Sequence, residues 1–432
     1  LGLSASSQSK RRSMAPDDAR RRFKRKTISD QQKRRELTLQ RQSQSRRDAQ
    51  QAARFLASSV VSLQSHSAIQ ETLDIDLDFS NRAEEDTKSS SPTDLDVLQA
   101  SKLKGAEGRK WFAKQLMLFE WMIDIPDRLA SDWYVFARPS GKRCFVVSSN
   151  GTTISRVRNG SILHRFSSAL PNGSKARGVY NPSHCYSILD CIFHDADQTY
   201  YVIDMLCWKG YSLYDCAFEF RLYWLISKLG ETGVCGMPSD NHSFRFNPVS
   251  VFNCDQNGLL AAYNGATPFV KDGLVFHNKH AHYEAGNTPL AVVWKDENCS
   301  QFVIDTDNKG NVPSQQMAVL ELQEDGRLVT SDDPPAVLGS LTMEFIKDSG
   351  IQVGDLLRFA VVDGRLIFVD RKVENVDLVY VGKAHRAKAF ADTFSKILFQ
   401  HMARHSPMKI SDLLSSLSDK EECETADVDM VG

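Results

Sequence analysis

Trp133-Tyr-Val-Phe-Ala-Arg138-Pro-Ser-Gly-Lys142-Arg143-Cys-Phe-Val-Val-Ser148 is the stretch whose reading decides the fold. Two runs of aromatic and β-branched residues flank a Pro-Ser-Gly break, the pattern of two strands joined by a turn. Arg138 closes the first run, and Lys142 and Arg143 open the second, so three cations gather around that turn. Outward from it, Tyr200-Tyr-Val-Ile-Asp-Met-Leu206, Val270 to Phe276 and Pro289 to Trp294 are further strand-like runs, with a turn at Asn150-Gly151. Phe218 to Leu229 has helical spacing. These elements make an α+β fold with a largely antiparallel sheet.

Ahead of this core, residues 1–19 read as disordered, and the composition then turns to Arg, Lys, Gln and Ala through residues 20–56. Ser29 or Asp30 is placed to cap a helix there. Its apolar content is thin, so it is expected as an isolated basic helix that forms on a partner's surface. Residues 57–104, rich in Ser, Asp and Thr, read as a linker. The core domain is expected over 105–300, a C-terminal extension of short strands and a helix over 301–408, and an acidic tail over 409–432. Within the extension, Asp363-Gly364 marks a hairpin turn. A helix is expected from Ala384 to His405 on the spacing of Phe390, Phe394, Ile397, Leu398 and Met402.

The formal net charge of −1 averages a basic stretch between Lys10 and Arg47 and an acidic one from Glu421 to Asp429. A neutral total therefore does not exclude an anionic partner. The nine cysteines contain no CxxC pair, which argues against a zinc ribbon. With no signal peptide ahead of them, they read as reduced thiols of a cytosolic or nuclear protein. No apolar run approaches the roughly 18 residues of a membrane helix, so no membrane partner is expected.

Five segments fall in the order found in mRNA-capping guanylyltransferases and ligases. Arg138-Pro-Ser-Gly-Lys-Arg143 resembles their Lys-x-Asp-Gly-x-Arg nucleophile motif, and Leu189-Asp190-Cys191-Ile192 stands where they have Asp-Gly-Glu. Val202-Ile-Asp-Met-Leu, Lys271-Asp272-Gly273-Leu274-Val275-Phe276 and Val292-Val293-Trp294-Lys295 resemble the three later motifs. The sheet is thus expected to resemble their nucleotidyltransferase domain. The departures bear on chemistry. Arg138 replaces the attacking lysine, and a guanidinium that stays protonated is no nucleophile. Ser140 replaces the motif's Asp, Ile192 the Glu, and Val293 a phosphate-handling lysine. The expectation is a domain that binds and does not catalyse. Lys142, Arg143, Arg156, Arg158 and Lys295 are candidates to meet phosphates, and Trp121 and Trp294 to stack on a base.

Longer blocks resemble the snurportins: Gln115-Leu-Met-Leu118-Phe-Glu-Trp121-Met-Ile-Asp-Ile-Pro126, His164-Arg-Phe-Ser-Ser-Ala-Leu-Pro171, Tyr186-Ser-Ile-Leu-Asp-Cys-Ile and Cys207-Trp-Lys-Gly-Tyr-Ser-Leu-Tyr-Asp-Cys216. The resemblance runs from about Arg20 to Lys295. Lys295-Asp-Glu-Asn and Leu320-Glu-Leu-Gln-Glu-Asp-Gly are similar to plant-type members. The resemblance implies binding of the trimethylguanosine cap of spliceosomal small nuclear RNPs and their carriage into the nucleus. It implies that Trp121 and Trp294 form the stacking slot, with Arg143 and Arg158 near the cap phosphates; Leu118, Arg138, Lys142 and Lys295 complete the expected cap site. It also implies an importin-β-binding helix carrying Phe23, Lys24, Lys33, Arg34, Arg35, Leu37, Leu39, Arg46, Arg47 and Arg54. An exportin for recycling, shuttling between cytoplasm and nucleus, and the absence of any cofactor follow from the same resemblance.

Blander readings compete. Most tryptophans pack in cores, as expected of Trp133, Trp208 and Trp224. His277, His280 and His282 lack a completing Cys or carboxylate for a metal, so none is expected. Asp190 and Asp272 read as braces of the site. Two rival functions remain open: a cap-binding RNA-processing factor without a transport role, and an active guanylyltransferase with Lys142 as stand-in nucleophile.

Overall fold

The computed structural model describes residues 30–67, 103–175, 185–307, 309–362, 367–369, 372–375, 377–385 and 388–417. The expected segment 1–19 and residues 418–432 of the expected tail, with most of the linker, lie outside them. So does the Asp363-Gly364 turn.

The first sheet holds β1 (Met117–Trp121) and β2 (Trp133–Pro139). Next along the chain are β3 (Lys142–Ser149), β4 (Thr152–Val157), β5 (Ile162–Phe166), β6 (Ser187–His194), β7 (Thr199–Trp208), β8 (Tyr211–Ser212) and β9 (Arg245–Pro248). Then come β10 (Val251–Asn253), β11 (Lys271–Asn278) and β12 (Gly286–Trp294). One sheet has the order β1-β12-β11-β2-β10, and the other β5-β4-β3-β6-β7-β8 with β9 beside β7. All pairs are antiparallel except β1 with β12 and β7 with β9. The α+β, mostly antiparallel reading therefore stands on the strand pairing itself.

The two sheets pack through Phe136, Ile192, Tyr201, Ile203, Val275 and Val293. Ile192, where a carboxylate was looked for, is a fully buried part of this seam. The helices are α1 (Asp30–Ser67), α2 (Gly105–Phe112), α3 (Leu129–Asp132), α4 (Phe218–Gly230), α5 (Gln256–Asn264), α6 (Met343–Asp348) and α7 (Phe394–His405). Helix α4 covers the outer face of the second sheet with Leu225 and Leu229.

The C-terminal part adds β13 (Gln316–Leu322), β14 (Arg327–Val329), β15 (Val337–Ser340), β16 (Leu356–Val361), β17 (Ile367–Val369), β18 (Lys372–Asn375) and β19 (Leu378–Lys383). Its sheet order is β15-β14-β13-β16-β19, with β17 paired to β18 alone. The expected hairpin partner of β17 was β16, yet β16 pairs with β13 and β19.

Three further expectations are corrected. The basic helix is not isolated: Gln31 and Arg35 are buried, and the first turns of α1 dock on the core domain. It also runs on to Ser67, into the expected linker. The C-terminal helix starts at Phe394, because Thr393 caps it by accepting from the Lys396 amide; 388–393 is not helical. Lastly, 410–417 is a helical run rather than tail, since Leu413 and Leu417 face the core around Trp133 and Trp294.

Candidate functional site

Strand β1 separates two roles by its pleat. Phe119 and Trp121 point to a cavity of about 500 Å³, while Glu120 between them is buried on the other side. There Glu120 pairs with Arg34 of α1 and accepts from Gln31 Nε2 at 2.8 Å. Gln31 also donates to the Trp121 carbonyl at 3.1 Å, and Arg35 pairs with Asp124 at 2.8 Å. The helix thus rests directly behind the strand that presents Trp121.

The cavity brings together Leu118, Trp121, Arg138, Arg143, Arg158 and Lys295 from the sequence-derived set. Two expected residues are elsewhere. Trp294 is fully buried, its Nε1 donating to the Met408 carbonyl at 3.1 Å, because alternation along the chain turns Val293 and Lys295 to the cavity and Trp294 to the core. Lys142 points away from its neighbour Arg143, is half exposed, and pairs with Asp195 at 3.0 Å on the outer surface.

The cations are held in two ways. Arg138 and Lys295 both pair with Asp272, which also accepts from Ser300 Oγ at 2.8 Å. Burial works against the Asp272 charge, but Arg138 and Lys295 outweigh it and hold the carboxyl below its ordinary range. Gly273 makes the geometry possible: at φ +98°, a Cβ there would meet Lys295 Cγ and the Trp294 carbonyl at 2.7 Å. Arg143 is gripped by Asp190 through Nε at 3.0 Å and Nη2 at 2.6 Å, and lies 3.9 Å from the Phe119 ring centroid. Burial disfavours its charge, yet Asp190 raises its pKa overall. Asp190 also accepts from Tyr283 Oη at 2.8 Å. Both aspartates therefore brace the site, as expected. Arg158 differs: among the described residues no carboxylate lies within ion-pair distance of it, and burial and Arg143 lower its pKa.

Trp121 is half-buried, with Phe399 behind it at 4.8 Å between ring centroids and Lys295 Nζ 5.5 Å from its ring. Its amide donates to Ser395 Oγ at 3.2 Å. The remaining wall was missed from the sequence: Lys388, Phe390, Asp392, Thr393 and Lys396 of the C-terminal part line the cavity. The signal that could have found it was Thr393, an N-cap residue type that starts the helix at Phe394 and leaves Phe390 ahead of it. In all, six cations and two carboxylates line the cavity, and both carboxylates are engaged in ion pairs.

Of the helix residues, Arg34 and Arg35 are committed to the docking, while Lys33, Leu37, Arg46 and Arg47 are exposed. Leu39 is half-buried. Phe23 and Lys24 lie outside the described residues, as does the Arg54 side chain. His277 is buried against Phe218, ring centroids 3.7 Å apart, and burial pushes its pKa down to about 3. Among the described residues no cluster of metal-ligating side chains occurs, and no helix is long and apolar enough to cross a membrane.

One accessible indole within a ring of mostly pre-paired cations gives this cavity the chemistry to take a flat, anionic ligand. Residues 115–296 match the family model described as Snurportin1, m3G cap-binding domain, so the chain carries a domain of that family across those residues. Among solved structures, it is similar to the ligase domain of M. tuberculosis LigD (11% identity, 58% of this chain and 90% of that one, TM-score 0.31). It is also similar to Chlorella virus DNA ligase-adenylate (11% identity, 62% and 99%, TM-score 0.29). Those likenesses are distant.

Proposed function

We propose that this chain binds the 2,2,7-trimethylguanosine cap of small nuclear RNA in the cavity fronted by Trp121, and links the capped RNP to importin-β for nuclear import. The observation that carries the reading is the pairing of a single accessible Trp with cations whose own carboxylates are already satisfied. An N7-methylated guanine is positively charged and gains roughly 0.5–2 kcal/mol from stacking on an indole. Its N2 methyls remove the hydrogens that a free carboxylate would clamp, and neither lining carboxylate is free. Among the described residues Arg158 has no carboxylate partner, and it is the natural counter-charge for the polyphosphate bridge.

The chain is read as a non-enzyme. Arg138 stands at the nucleophile position and is locked on Asp272, and Lys142, the stand-in, faces outward towards Asp195. Incubation with labelled GTP should leave no covalent adduct on a denaturing gel.

Import would use α1 and the residues before it. Arg34 and Arg35 are occupied by Glu120 and Asp124, so a receptor that takes them must lift the first turns of α1 from the core. Shuttling and return by an exportin belong to the same reading. Deleting residues 20–56 separates it from a processing factor: an adaptor loses importin-β binding and delivery, and a processing factor keeps its role.

The test of the cap site is a fluorescence titration of the full chain with trimethylated, monomethylated and unmethylated cap dinucleotides. The trimethylated cap should bind tightest, and Trp121→Ala should weaken it about tenfold or more, the worth of one stacked base. Equal affinity for all three caps sinks the selective pocket.

A further inference from the structure

Between Asp132 and Asp190 the chain carries eight Lys or Arg and no Asp or Glu. Much of that stretch folds as β3, β4 and β5, with β5 the outermost strand of the second sheet. Register decides where the cations point. Phe145 of β3 stands opposite Arg156 of β4, and Ile154 stands opposite Arg165 of β5. Alternation therefore puts Arg143, Arg156, Arg165 and, just beyond β4, Arg158 on one face of the sheet. His164 and Phe166 turn to the other face, against Phe193 and Tyr200.

Helix α2 lies beside this row. The Arg156 guanidinium is 4.1 Å from the Phe112 ring centroid, and the Arg109 carbonyl packs so close to Gly160 that a Cβ there would come within 1.9 Å of it. Arg109, Lys110 and Lys114 are exposed on and just after the helix. Arg138, Arg143 and Lys295 each have a carboxylate partner. Among the described residues no carboxylate lies within ion-pair distance of Arg109, Lys110, Arg156 or Arg165. Burial lowers the Arg156 pKa and the neighbouring Arg165 lowers it further. A like-charged row of this kind repels itself, and a bound polyanion relieves the repulsion.

The row begins at Arg158 in the cavity and runs roughly 13 Å along β4, four residues of strand, to the level of Arg165. Ile162 is the one large apolar side chain exposed on α2, β4 or β5. The face thus lacks the apolar centre on which a protein partner would settle. We propose that this face, with Arg109, Lys110, Arg156 and Arg165, is an electrostatic track for the phosphodiester backbone of the RNA once it has left the cavity. This rests on the cap reading above and extends it to the body of the RNA. Contacts to phosphates carry no sequence preference, so the track adds affinity and direction without reading bases.

The test measures salt dependence on the full chain with two probes, a trimethylguanosine-capped dinucleotide and a trimethylguanosine-capped eight-nucleotide RNA. Three phosphate contacts to a single strand should steepen the slope of log affinity against log salt by about 2 for the longer probe, so that its advantage shrinks about twentyfold between 50 and 200 mM. Arg109→Gln/Arg165→Gln, two exposed residues that do not line the cavity, should remove roughly 1.4 of that slope and leave dinucleotide binding as it was. The same charge change on the C-terminal part, Lys347→Gln/Arg358→Gln, should leave both probes unaffected. Equal slopes for the two probes in the wild type overturn the track and leave the cap reading standing. A dinucleotide that fails to bind at any salt overturns the cap reading instead. Displacement of the longer probe by polyglutamate as readily as by uncapped RNA would assign the face to an acidic protein, and the RNA track would fall.

Discussion

Asp272 carries more of the site than any other single residue. It neutralises Arg138 and Lys295 at once, and its side chain keeps only 18% of its surface exposed. Replacing it by Asn leaves two cations facing each other in a poorly solvated cavity. Asp272→Asn should cost on the order of 2 kcal/mol, below the range for a fully buried pair because some solvent reaches it. The pH dependence follows from its lowered pKa. A carboxyl depressed in the folded state stabilises fully above its unfolded value near 3.9, and the gain is lost as pH falls through the folded value. Thermal melts from neutral to acid pH should therefore drop more steeply below about pH 4 in the wild type than in Asp272→Asn. Parallel curves would show that the pair contributes nothing to folding. Trp294 is the residue-scale counterexample. Its type and motif pointed to stacking, but facing is set by register: Val293 pairs with Val275 and Trp121, and so Trp294 points to the opposite side.

At the scale of elements, α1 shows what periodicity cannot reveal. Its few apolar residues promised no packing, and it docks through Gln31, Arg34, Arg35 and Gln42, whose partners lie far away in sequence. Burial lowers the pKa of Arg35 and raises that of Asp124, each opposing the other's shift, so the contact is a buried ion pair and not a loose surface bridge. Arg35→Ala should release the first turns of α1: amide exchange over residues 31–42 should quicken at least tenfold while β11 and β12 stay protected. Unchanged exchange in the helix would mean that Arg35 does not hold it. Strands were the legible part, because alternation and Gly-containing turns are local; β2, β3, β7, β11 and β12 fall where their side chains place them. The wall at 388–396 was not. Phe390 has helical spacing with Phe394 and Ile397, yet the Thr393 cap beats that spacing locally, and only the fold shows that the segment ahead of it faces the cavity.

The whole molecule decides whether the matched domain and the C-terminal part are separable. The sequence suggested a core domain ending near residue 300 with an extension after it. The core around Trp294 says otherwise: Trp121, Trp133 and Phe276 pack with Phe399, Leu413 and Leu417 from the far end of the chain. Polar contacts cross the same junction, with the Trp121 amide donating to Ser395 Oγ at 3.2 Å and Trp294 Nε1 to the Met408 carbonyl. Ending the chain at residue 300 would strip these side chains from the core at about 1.5–3 kcal/mol each, and would leave the Trp294 N–H without its acceptor. Three such side chains already amount to much of the roughly 5–15 kcal/mol by which a domain of this kind is stable. A fragment of residues 105–300 should therefore be insoluble, or melt at least 10 °C below the full chain, and should not hold Trp121 in place for a ligand. Adding residues 394–417 in trans should recover part of that loss. A fragment that melts with the full chain and binds the cap equally well would show that the C-terminal part is a passive neighbour, and that the cavity needs only three of its walls.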